Sequence, residues 1–126
     1  MNPFIFLIVL CCALLGCQSS KPSREKGPDG TVVYKVPVDS TEPNTRIEVN
    51  GDFIGIAPLT LTIFGDEDGS FHNFGSYDYV VKAIPPGKDP KAIYFRTGVL
   101  FGAEDRVPER IHFDYFSNTT TQPTPK

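Results

Sequence analysis

Ile47-Glu48-Val49-Asn50-Gly51-Asp52-Phe53-Ile54-Gly55-Ile56-Ala57-Pro58-Leu59-Thr60-Leu61-Thr62-Ile63 is the stretch that decides the fold class. Ile47 and Val49 alternate with Arg46 and Glu48, and Leu59, Leu61 and Ile63 alternate with Thr60 and Thr62. An apolar residue at every second position turns one face of an extended chain to a core and the other to water. Between the two runs Asn50-Gly51 supplies a tight turn tolerant of positive φ, while Gly55 and Pro58 mark a change of direction.

The same period recurs downstream. Tyr77, Tyr79, Val81 and Ala83 form an alternating face that ends at Pro85-Pro86-Gly87. Ile93 and Phe95 alternate with Tyr94 and Arg96, and Ile111, Phe113 and Tyr115 with Arg110, His112 and Asp114. Upstream, Thr31 to Val38 is β-rich but interrupted by Pro37, which predicts an edge strand or the end of a tether. No segment beyond residues 4–15 keeps a helical period, and 12 prolines with 11 glycines argue against helices. The expected fold is all-β, a small antiparallel β-sandwich. Phe53, Phe95, Phe113, Tyr79 and Tyr115 are the expected core, since the chain has no Trp and its one Met is Met1. A flat sugar-stacking platform is the alternative use of these rings.

The polar run from Gln18 to Gly30 offers no apolar side chain that could offset the entropy of ordering it, and reads as a tether. The Thr- and Pro-bearing tail from Ser117 reads the same way. The expected division is a leader at 1–16, a tether at 17–43 with a possible edge strand at 31–38, a β domain at 44–117, and a tail at 118–126.

The run from Ile47 to Ile63, followed by Gly75-Ser76-Tyr77-Asp78-Tyr79-Val80-Val81, resembles a PEGA-type repeat. The shared order is a short strand, Asn-Gly, a Gly, an Ala-Pro pair, an alternating strand, and a Gly-x-Tyr-x-Val-x-Val strand. The likeness covers roughly residues 46–84 and departs from the pattern at residues 65–74, which are longer than the usual turn. It implies a transthyretin-like or carboxypeptidase-regulatory-like sandwich that is not catalytic and serves at a bacterial cell surface.

Leu14-Leu15-Gly16-Cys17 closes an apolar stretch from Phe4 and resembles the lipobox of bacterial lipoproteins. The stretch is shorter than the roughly 20 residues of a spanning helix and suits a signal peptide, although no Lys or Arg precedes it. Cys11 and Cys12 follow Leu10 and Cys11, whereas Cys17 follows a small residue, so Cys17 is the expected lipidation site. The resemblance implies removal of residues 1–16, a thioether-linked lipid on Cys17, and a chain held in the cell envelope. Two or more acyl chains make such an attachment stable. Gln18 after the cysteine resembles the pattern sent to the outer membrane, on its periplasmic side or surface.

Chemistry-bearing residues are sparse. Asp66, Asp68 and His72 form a candidate metal loop, and a metal-dependent enzyme would add His112; however, the ligand spacing of an EF-hand or zinc site is absent. No nucleophile motif is present, and the expectation is no catalysis and no cofactor. A net charge of −3 without a basic stripe predicts no nucleic-acid partner. The expected role is a non-catalytic binding, scaffold or spacer module. Its partners would be the membrane through Cys17 and an envelope protein or polysaccharide. An accessory docking subunit of an envelope secretion or transport assembly is the alternative.

Overall fold

Seven strands make up two sheets in the computed structural model, which describes residues 24–98 and 103–116. In chain order they are β1 (Val32–Ser40), β2 (Arg46–Val49), β3 (Asp52–Ile56), β4 (Leu59–Gly65), β5 (Asp78–Ile84), β6 (Lys91–Arg96) and β7 (Ile111–Phe113). One sheet has the order β4-β1-β7 and the other β3-β2-β5-β6. The chain therefore crosses between sheets after β1, β3, β4 and β6, and consecutive strands share a sheet only in the β2–β3 and β5–β6 hairpins. The Ala57–Pro58 peptide, on the crossing into β4, is cis.

The alternation seen in the sequence becomes the two inner faces. Val36, Val38, Leu61, Ile63, Ile111 and Phe113 of the first sheet join Ile47, Val81, Ala83, Ile93 and Phe95 of the second in one buried cluster. A fully buried aliphatic or aromatic side chain of this kind contributes about 1.5–3 kcal/mol. The β2–β3 turn forms as expected: Asn50 has φ 51° and Gly51 φ 87°, the pair of positive values that a two-residue hairpin of matching twist needs. Asn50 also ties the turn to β5, donating its N–H to the Val80 carbonyl (2.9 Å) and accepting from the Val80 N–H on Oδ1 (2.8 Å).

Four features differ from the sequence expectation. First, β1 is the middle strand of its sheet, with Val32, Val36 and Val38 buried, so the sandwich includes residues assigned to the tether. Pro37 fits there because of direction. Val33 and Thr41 both donate away from β4, to Glu25 and Phe113, so the odd-numbered backbone groups of β1 point away from β4. The N–H that Pro37 lacks would point the same way, and the register of β7 opposite β1 begins only at Val38.

Second, β1 and β7 run parallel, whereas the other strand pairs are antiparallel. Third, Phe53 is not in the core. It is 53% exposed on the edge strand β3, and Tyr77 is likewise exposed before β5 begins. Fourth, the space is filled instead by Phe71, which is 1% exposed and comes from the stretch 65–74. Its ring stacks on Phe95 at 5.0 Å and meets Tyr79 at 5.2 Å. Backbone pairing seats it, with the Phe71 N–H donating to the Asp105 carbonyl at 3.0 Å.

Candidate functional site

β3 is the end strand of the second sheet and carries Phe53, Ile54 and Ile56, each close to half exposed. Its register with β2 skips one residue: Ile47 faces Gly55 while Glu48 faces Phe53, so Ile54 is the extra residue of a bulge. The pairing Arg46–Ile56 and Glu48–Phe53 puts Ile56 and Phe53 on the same outer face as the two charged residues. The Arg46 guanidinium lies 4.4 Å from the centre of the Phe53 ring. The bulge and the short length of β3 are devices that blunt edge pairing, yet three large apolar side chains remain exposed on it. Along β3 only Asp52 is charged, and it stands at the start.

The acidic turn is a folded structure with its own partners. Asp68 Oδ1 accepts from the Ser70 N–H (2.9 Å) and hydroxyl (2.7 Å). These bonds hold Asp68 below the ordinary carboxylate value of 3.8. Asp66 Oδ1 lies 2.7 Å from His72 Nδ1, and the His72 ring packs edge-on against Phe74 at 4.6 Å. Gly69, at φ 96°, sits under the Arg106 guanidinium, where a Cβ would collide with it. Arg106 in turn donates to the Asp68 carbonyl at 3.0 Å.

His112 is elsewhere. It projects from β7 toward β1, with Nδ1 at 2.6 Å from Asp39 Oδ1, and Arg110 binds the other oxygen of the same carboxylate. Partial burial alone would raise the Asp39 pKa, but the hydrogen bonds and charges of His112 and Arg110 outweigh it and hold the group below 3.8. The structure thus brings Asp66 and His72 together and leaves Asp68 and His112 with other partners. Among the described residues no group of three or more His, Cys, Asp or Glu side chains converges. Cys17 lies outside the described residues.

Sequence reasoning missed two features of this surface. The Asp39–His112–Arg110 cluster needs β7 to lie parallel beside β1, a pairing across most of the chain that no local pattern signals. The exposed β3 edge was hidden because Phe53 reads as core when hydrophobicity is taken alone. Phe53 faces outward because the hairpin register sets it opposite Glu48, and the bulge frees Ile54 from pairing with β2.

Comparison of the chain with known protein families, with curated proteins and with solved structures gives no match.

Proposed function

We propose that this chain is a membrane-anchored lipoprotein of the bacterial cell envelope whose β-sandwich is a non-catalytic binding, scaffold or spacer module. The observation that carries the binding role is β3, an open edge with Phe53, Ile54 and Ile56 turned to solvent. The Leu14-Leu15-Gly16-Cys17 sequence supports the anchor. The order of hairpin, Ala-Pro pair and alternating strand supports a PEGA-like unit.

The anchor is tested by metabolic labelling with a lipid probe. The wild-type chain takes up label, and Cys17→Ser abolishes it and releases the protein from membranes. A Cys17→Ser protein that stays in the membrane fraction rejects the anchor.

The same edge favours a more specific reading, an accessory docking subunit of an envelope secretion or transport assembly. An exposed strand edge binds a partner by adding a strand, with main-chain hydrogen bonds for affinity and side chains for selection. A photo-crosslinking residue at Ile54 then gives one stoichiometric protein adduct in membranes. A polysaccharide binder or spacer gives none. Metal analysis separates both readings from a metal-dependent enzyme: stoichiometric Ca²⁺ or Zn²⁺ that is lost with Asp66→Asn and His72→Ala would favour the enzyme.

A further inference from the structure

Two exposed aromatic side chains stand together at one end of the sandwich. β1 begins at Val32 opposite Gly65, the last residue of β4, and β5 begins at Asp78 opposite Arg96, the last residue of β6. The stretch between β4 and β5 therefore caps the end where two strands start and two finish. Backbone bonds hold this cap down: the Phe71 N–H donates to the Asp105 carbonyl at 3.0 Å, and the Thr97 N–H to the Tyr77 carbonyl at 3.0 Å. From Ser70 to Tyr77 the cap carries no Asp, Glu, Lys or Arg. Phe71 turns into the core, whereas Phe74 is 51% exposed and Tyr77 62% exposed.

The chain joins the sandwich at the same end. Lys26 bridges Val32, and the Val33 N–H donates to the Glu25 carbonyl at 2.8 Å, so residues 25 and 26 lie against the opening of β1. Lys26 Nζ also lies 3.1 Å from Glu67 Oε1 in the cap. Cys17 stands seven residues before Arg24. Whatever path they take, seven residues span at most about 25 Å.

We propose that this cap is the face that the sandwich turns to the membrane, with the rings of Phe74 and Tyr77 seated among the lipid headgroups. The proposal rests on the reading of Cys17 as the lipidated residue and adds an orientation to it. The short span supplies the occupant, since every anchored copy holds this end within reach of a bilayer. The chemistry of the cap suits one. Aromatic rings, and tyrosine above all with its apolar body and polar tip, settle at the level of the headgroups. The carboxylates beside the rings have partners of their own: Asp68 takes the Ser70 N–H and hydroxyl, Asp66 meets His72 Nδ1, and Glu67 meets Lys26. The contact is thus apolar and needs no anionic lipid. It supplements the acyl chains and does not replace them, because a weak interfacial contact holds a protein stably only beside a second attachment.

The chain has no Trp, so one introduced indole reports its own surroundings. Phe74→Trp is compared with Ile56→Trp, whose site is similarly exposed. Ile56 pairs with Arg46, and Arg46 with Ile84 at the finish of β5, so it marks the opposite end. The full-length lipidated proteins are reconstituted in vesicles of phosphatidylethanolamine and phosphatidylcholine, part of the latter spin-labelled near its headgroup. Both proteins float with the vesicles. The Phe74→Trp indole shifts to the blue and loses most of its emission to the spin label, while the Ile56→Trp indole keeps its own. Adding Tyr77→Ser to Phe74→Trp weakens the quenching. Vesicles that carry both proteins but leave the two indoles equally bright, or quench them equally, overturn the orientation and leave the anchor standing. Protein that does not float removes the anchor and the orientation with it. A blue shift in Phe74→Trp without quenching, rising with the number of chains per vesicle, overturns the membrane contact and assigns the cap to a second copy.

Discussion

Phe71 closes the core from the stretch 65–74, buried between the rings of Phe95 at 5.0 Å and Tyr79 at 5.2 Å. It stands alone between Ser70 and His72 in a stretch with no alternation, so nothing local marks it as buried. Phe71→Ala should cost about 3–5 kcal/mol in chemical denaturation, the range for emptying a buried aromatic site. Phe53→Ser, at a position that hydrophobicity alone assigns to the core, should cost only about 1 kcal/mol, since the ring is half exposed and its contact is the Arg46 guanidinium. Two ionisable residues give opposite pH signatures. Burial pushes the Tyr79 hydroxyl up from 10.0 to about 12. Because the folded state holds this proton more tightly, the stability it contributes is complete below pH 10 and is lost as pH rises toward 12. Tyr79→Phe should flatten that alkaline limb of a denaturation series. Asp39 behaves in the reverse sense, since its folded pKa lies below 3.8. Its contribution is present above that value and disappears as pH falls through the lower one. Asp39→Asn should therefore differ from wild type at pH 6, by no more than about 1 kcal/mol for a partly exposed pair, and converge with it in acid.

At the scale of elements, period-two patterning located most strands, and turn chemistry located the β2–β3 hairpin. Residue identity is enough there: Asn50 and Gly51 can both hold positive φ, which other residue types rarely do. Gly51→Val should thus destabilise the hairpin by about 1 kcal/mol or more, read as a shift in denaturation midpoint at constant slope. What patterning could not supply was pairing. Pro37 made β1 look like an edge, and it is half an edge: fully paired along β4, but paired with β7 only over its last residues. For β3 no alternation marked a strand, and hydrophobicity placed Phe53 in the core, where the structure has it exposed. Which face is covered depends on the partner strand, and among the described residues β3 has a neighbour on one side only.

For the whole molecule, composition and spacing were sufficient to predict an all-β sandwich, whereas the sheet order was set by contacts between distant residues. β1 and β7 lie about 70 residues apart yet share a ladder, as do β1 and β4 across the intervening hairpin. Such non-local pairing predicts folding on the millisecond-to-second scale, measurable by stopped-flow fluorescence of the tyrosines. It also predicts that a chain ending at Glu109 will be strongly destabilised in chemical denaturation. Losing the burial of Ile111 and Phe113 removes several kcal/mol from a domain that has only about 5–15 to spare. The parallel β1–β7 ladder has one last consequence, a mechanical one. In parallel neighbours the start of one strand and the finish of the other lie at opposite ends of the ladder. A pull on the chain, fixed at its front and drawn from its rear, therefore slides these two strands past each other. The bonds between them share the load at once instead of unzipping singly.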